Sequence, residues 1–199
     1  MTPNRAIPIV ALLLVAAGCD SATTADPTMT VKATKPTSST ATVPTIASPL
    51  KLAAVRPQPC TVLTPQQLST LGLPSPGTPA LDPIEAKLRD YCTWRLGPAQ
   101  DIVEVSMPRT YETTETLAGA YEQHDAGVYA YFEETTVSGY PAAFGGITDN
   151  RAAGGCELRV GVADKLAVDI TVLVTTGADP CALAASVGTE VIATVAATQ

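Results

Sequence analysis

Histidine is nearly absent, and so are the residue patterns that mark common catalytic or metal centres. His124 is the one histidine in 199 residues. No two cysteines stand at C-x-x-C spacing, so zinc has no ligand set. G-x-S-x-G does not occur, which removes the nucleophile elbow of serine hydrolases. Gly145-Gly146 and Gly154-Gly155 lack the spacing and the lysine of a phosphate loop and read as turns. Basic residues are the minority, 12 Lys and Arg against 19 Asp and Glu, and they form no cluster. Nucleic acid and an anionic membrane surface are therefore poor electrostatic partners. Aromatics are scarce as well, with one Trp and two Phe, but tyrosine is not: there are six.

What is present begins at the N-terminus. Residues 1–5 carry Arg5 and a free amine. Residues 6–17 form an apolar run of roughly a dozen, short of the 20 or so that a membrane helix needs. A charged start, a short apolar run and small residues before a cut site describe a secretory signal over 1–18. The end of that stretch, Val15-Ala16-Ala17-Gly18-Cys19, resembles the lipobox of bacterial lipoproteins. Ala16 stands where that family more often has Leu. The resemblance implies cleavage before Cys19, a diacylglycerol on its thiol and an acyl chain such as palmitate on the new amine. It places the protein at the outer face of the cell membrane. Two or more acyl chains anchor stably, because each buried CH₂ contributes about 0.8 kcal/mol.

Residues 19–57 are rich in Thr, Ser, Pro and Ala with no hydrophobic period. Such a stretch buries too little to offset its ordering entropy and is expected to be a disordered tether. The folded domain is expected over 58–199, the size of one domain with one core. Cys60, Cys92, Cys156 and Cys181 in an exported domain read as two disulfides, with three connectivities open. Cys60–Cys92 and Cys156–Cys181 are favoured, because each closes a local loop worth about 3.5 kcal/mol in the chain-entropy model.

Periodicity supplies the elements. Thr64-Pro65 caps and starts a helix that Gly72 stops. Residues 73–83 are punctuated by Pro and Gly and read as loop. Residues 91–96 and 102–107 read as strands. Cys92 and Trp94 share one face, so Trp94 is expected to pack on the disulfide rather than serve as a ligand platform. Val103, Val105 and Met107 point inward. Residues 114–125 read as a helix, with Leu117, Ala120 and Tyr121 at helical spacing. Ser138-Gly139 turns between strands at 132–137 and 141–144. Residues 156–162 and 166–174 alternate most clearly. If they form a hairpin, parity forbids a two-residue loop at Asp164-Lys165, which would pair Val160 with Asp169, and a three-residue loop at 163–165 pairs Val160 with Val168 and Leu158 with Ile170. Asp179-Pro180 opens a last helix whose stripe of Leu183, Val187, Val191 and Val195 lies on the sheet. Gly188 near that stripe lets the helix come close. The order predicts an α+β domain: an antiparallel sheet with helices packed on one face.

These motifs fall in a familiar sequence. Pro59-Cys60 precedes Leu63-Thr64-Pro65, then come Cys92-Thr93-Trp94, Gly139-Tyr140-Pro141-Ala142, Cys156 and Asp179-Pro180-Cys181. In that order and spacing the chain resembles the actinobacterial lipoproteins of domain-of-unknown-function family 3558. The resemblance implies an envelope lipoprotein of a high-GC Gram-positive bacterium. It carries no activity and no catalytic residue with it.

Candidate chemistry is thin. His124 at a helix end reads as a polar residue rather than a base. Glu133 and Glu134 are neighbours on a strand, so they face opposite ways and do not converge as an acid and base. Asp149, Asn150 and Glu157 offer a cation site, against which stands ordinary solvation of loop acids. Tyr111, Tyr121, Tyr129, Tyr131 and Tyr140 supply flat apolar area with polar tips. Tyr121, Tyr129, Tyr131 and Tyr140 are the candidate binding surface, with core and edge packing as the competing role. The expectation is a non-enzymatic extracytoplasmic module, without metal or cofactor, that binds a protein, glycan or lipid-like ligand. The alternatives are an accessory or structural subunit of an envelope complex and a carboxylate-dependent cell-wall hydrolase. The hydrolase requires two acids converging in one cleft.

Overall fold

The computed structural model describes residues 42–80, 85–97, 101–109, 115–175, 177 and 179–199. The signal, Cys19, most of the expected tether and Tyr111 lie outside the described residues.

Seven strands form one antiparallel sheet: β1 (Thr78–Pro79), β2 (Arg89–Arg95), β3 (Ile102–Pro108), β4 (Tyr131–Val137), β5 (Tyr140–Gly146), β6 (Gly155–Ala163) and β7 (Leu166–Leu173). Their spatial order is β1-β2-β3-β7-β6-β5-β4. The helices are α1 (Pro65–Leu71), the single turn α2 (Glu85–Leu88), α3 (Leu117–Asp125) and α4 (Pro180–Ala196). The fold is thus the α+β domain that the hydrophobic periods predict.

Alternation divides the sheet into two faces. On the first, Val103, Val105, Met107, Leu158, Val160, Ile170 and Val172 are buried. Ala184, Val187, Val191 and Val195 of α4 lie over them, also buried. Each valine, leucine, isoleucine or methionine among them contributes about 1.5–3 kcal/mol by leaving water. A Cβ on Gly188 would meet Val137, Leu158 and Ile170 at 3.3–3.6 Å, so the bare glycine lets α4 lie close to the sheet. Asp179 caps α4 by accepting from the N–H groups of Cys181 and Ala182. α1 opens on a reciprocal capping box of Thr64 and Gln67. The hairpin turn at Ser138-Gly139 holds both residues at positive φ, 50° and 84°. That geometry suits glycine and twists with the strands.

Both disulfides pair as favoured, Cys60–Cys92 and Cys156–Cys181. The first ties the 3-10 turn Pro59–Val62 to β2, and the second ties the first turn of α4 to β6. Trp94 is fully buried beside Cys92, and a Cβ on Gly77 would overlap both the Cys92 sulfur and the indole.

Three expectations need correction. The packed chain begins before residue 58: Leu50, Leu52 and Val55 are 6%, 2% and 2% exposed and belong to the main core. The Leu50 N–H donates to the Val162 carbonyl, and the Tyr140 hydroxyl donates to the Ser48 carbonyl. Two leucines set one residue apart are too short a signal to stand out beside so many prolines. The β6–β7 register is as expected, Val160 with Val168 and Leu158 with Ile170, but the turn has two residues, Asp164-Lys165. A bulge between Gly161 and Ala163 supplies the extra residue and restores parity. Finally, Thr78–Pro79, expected as loop, adds the short edge strand β1.

α1 and α4 serve the first face. α3 departs from the expectation of helices on one face and stands at the second, where Leu117 and Tyr121 pack with Ala143 and Phe132. Among the described residues that helix covers only part of the second face, and the rest is polar.

Candidate functional site

Three adjacent strands place their outward residues on this second face. Ser106 of β3 stands opposite Asp169 of β7, and Asp169 stands opposite Arg159 of β6. One step along, Glu104 faces Thr171, which faces Glu157. Each of these residues alternates with a buried valine, leucine or isoleucine of the core. Together they floor a cleft of about 150 Å³. Arg89 and Tyr129 line its sides, with Phe132 and Gly145 toward α3.

The charges here are organised. Arg159 and Asp169 are bonded side by side, Nε to Oδ1 at 2.6 Å and Nη2 to Oδ2 at 2.8 Å. Burial works against the Arg159 charge, but Asp169 beside it prevails and holds the guanidinium above its usual pKa. The Thr93 hydroxyl donates to Glu104 Oε2 at 3.0 Å. Glu157 is exposed, yet the protein atoms around it, with Asp169 close by, raise its carboxyl above the usual carboxylate range.

Two polar atoms in the cleft have no hydrogen-bond partner among the described residues: Ser106 Oγ and Arg89 Nε. Ser106 is only 4% exposed. A buried hydroxyl left unbonded costs free energy, and such groups are few in folded proteins.

At the α3 end, Phe132 is the centre of an aromatic group. His124 stacks on it at 4.4 Å, Tyr121 meets it edge-on at 5.0 Å, and Tyr129 lies at 6.2 Å. Gly145 makes room, since a Cβ there would touch both Tyr129 and Phe132. Burial, helped by Glu134, pushes the Tyr121 hydroxyl up to about 12.

The four tyrosines singled out from sequence do not form one surface. Tyr121 and Tyr129 gather around Phe132. Tyr131 alternates with Phe132 and turns to the other side, where the Arg151 guanidinium lies 4.3 Å from its ring centre. The Tyr131 hydroxyl accepts from the Glu157 N–H at 3.2 Å. Tyr140 packs against the main core and its hydroxyl is bonded to Ser48. Glu133 and Glu134 diverge as alternation requires: Glu133 pairs with Arg151, and Glu134 lies by Tyr121. Asp149 is committed to Arg151 through Nε at 2.8 Å and Nη2 at 2.7 Å, which lowers its carboxyl to about 2. Among the described residues no group of three or more His, Cys, Asp or Glu is placed to hold a metal.

Ser106, Glu104, Arg89 and the Arg159–Asp169 pair were not singled out from sequence. Their signal is the polar half of three alternating strands, which also fits plain solvent exposure.

The class is therefore a disulfide-bonded α+β domain whose sheet is sealed on one face and keeps a polar cleft on the other. The chain belongs to the family described as Protein of unknown function (DUF3558), whose model matches residues 14–194. No curated protein and no solved structure matches it.

Proposed function

We propose that this chain is a lipid-anchored module of the cell envelope that binds a small polar ligand in the cleft of its second face and does no chemistry on it. The anchor reading rests on Cys19 after Ala16-Ala17-Gly18, and export is consistent with two disulfides that close within the domain. Among the described residues no helix is long and apolar enough to cross a membrane. A lipid on Cys19 would hold the domain at the outer face of the cell membrane.

The observation that carries the binding reading is the unbonded Ser106 hydroxyl on the floor of the cleft. A ligand that bonds to it recovers a cost the empty protein bears. Glu104, Glu157 and Asp169 do converge in the cleft, as the hydrolase alternative requires, but Asp169 is engaged by Arg159 and Glu104 by Thr93. That favours recognition over acid–base catalysis.

Two measurements test the reading. Bacteria expressing the chain are fed an alkyne-tagged fatty acid. Label should appear on the membrane-bound chain and vanish in Cys19→Ala; an unlabelled chain in the cytosol overturns the anchor. A fragment screen read by backbone amide shifts should return hits around Ser106 and Asp169. Hits confined to other faces overturn the cleft.

A further inference from the structure

We propose that the ligand of this cleft is a neutral polyhydroxylated ring, a pyranose unit of a glycan, anchored by the Ser106 hydroxyl. The inference rests on the cleft being the binding site.

Charge comes first. Glu104, Glu157 and Asp169 meet Arg89 and Arg159 in the same cleft. With Arg159 and Asp169 paired to each other, an anion would face Glu104 and Glu157, and a cation would face Arg89. Neither sign is matched by its surroundings, and an unmatched charge is costly to desolvate. Hydroxyl groups avoid the conflict, because each both donates and accepts. One hydroxyl can accept from Arg89 Nε or Ser106 Oγ while its neighbour donates to a carboxylate. Arg89 Nε and Ser106 Oγ are the buried cleft atoms without partners among the described residues. They lie on adjacent strands, with Ser106 opposite Tyr91, two residues from Arg89. The backbones of such diagonal neighbours are about 7–8 Å apart, so the two residues can address two groups of one ring.

Shape comes second. A cleft of about 150 Å³ holds only about five waters' worth of liquid. That is room for one ring with the rest of the molecule outside, as the end of a longer chain would sit. The wall toward α3 is aromatic, Tyr129 with Phe132. A pyranose has the same division: C–H faces that pack on aromatic rings and a rim of hydroxyls.

The test uses the purified full-length chain and four probes: methyl β-D-glucopyranoside, methyl α-D-mannopyranoside, acetate and methylammonium. Backbone amide shifts of Ser106, Gly145 and Asp169 are followed during titration. At least one glycoside should give saturable shifts at these residues and the charged probes none. Ser106→Ala should weaken that binding about ten-fold without lowering Tm, since the hydroxyl it removes has no partner to lose. Saturable shifts from acetate or methylammonium alone overturn the glycan inference and leave the cleft as a binding site. Silence from all four overturns both. Unchanged glycoside affinity in Ser106→Ala overturns the anchor.

Discussion

Arg159 on β6 and Asp169 on β7 stand directly opposite each other and join through two parallel hydrogen bonds of 2.6 and 2.8 Å. The pair lies at the middle of the polar face, between Ser106 on one side and Ala143 on the other. Its side chains are 19% and 22% exposed, so water screens them only in part. Asp169→Ala strands the guanidinium and should cost about 2 kcal/mol in denaturant titration, below the 3–5 of a fully buried pair. Arg159→Leu with Asp169→Leu should cost less than the two single changes together, because no charge is left behind. Strict additivity would mean that the pair contributes nothing as a pair.

Glu157 predicts a pH dependence. Crowding by protein atoms, with Asp169 close by, raises its folded-state carboxyl above the unfolded value. The folded chain therefore holds this proton more tightly than the unfolded chain does. Glu157 costs no stability below the unfolded pKa. The cost appears as pH rises through that value and is complete above the raised folded value. Glu157→Gln should raise Tm at about pH 7 and change it little at about pH 3, where both states of the wild type are protonated. Scanning calorimetry at the two pH values decides this, and an equal shift at both would exclude the electrostatic cause.

Gly77 is required by close approach, since a Cβ there would overlap the Cys92 sulfur and the Trp94 indole. Both neighbours are fully buried, and Cys92 is held by its disulfide to Cys60. Neither can swing away cheaply. Gly77→Ala should lose about 1–3 kcal/mol, the usual range for overpacking. Tryptophan emission is a direct readout because Trp94 is the one Trp in the chain. It should shift to the red as the strand over it lifts. An unchanged spectrum and Tm would mean that the segment moves aside freely.

The parts legible in the sequence are those set by short-range pattern. Leu158, Val160, Val168 and Ile170 alternate so regularly that their pairing follows from parity, even though a bulge rather than a longer loop satisfies it. The α4 stripe and its Asp179 cap follow from spacing in the same way. The cleft is different. It exists because β3 pairs with β7, strands far apart in the chain. Nothing local in Ile102–Pro108 specifies that neighbour, so Ser106 and Asp169 could not be brought together by reading along the chain. Partial cover by α3 is likewise a tertiary fact. Its Leu117 rests where Gly161 leaves the second face open, and a lone glycine in a strand does not announce a helix above it.

The segment before residue 58 gives the sharpest test of where the domain begins. Leu50, Leu52 and Val55 are buried in the main core. The backbone there is bonded to the sheet through Leu50 to Val162, and to the end of the chain through the Lys51 N–H to Gln199 Oε1 at 2.9 Å. Three apolar side chains at about 1.5–3 kcal/mol each make a loss of more than about 4 kcal/mol when they are removed. That is a large share of the 5–15 kcal/mol that typically holds a domain together. A chain starting at Gln58 should therefore be far less stable to urea than one starting at residue 42, or should not fold. Leu52→Ala in the longer chain separates packing from any effect of shortening and should cost about 2–3 kcal/mol. Equal urea midpoints for the two chains, with Leu52→Ala silent, would return residues 42–57 to the tether.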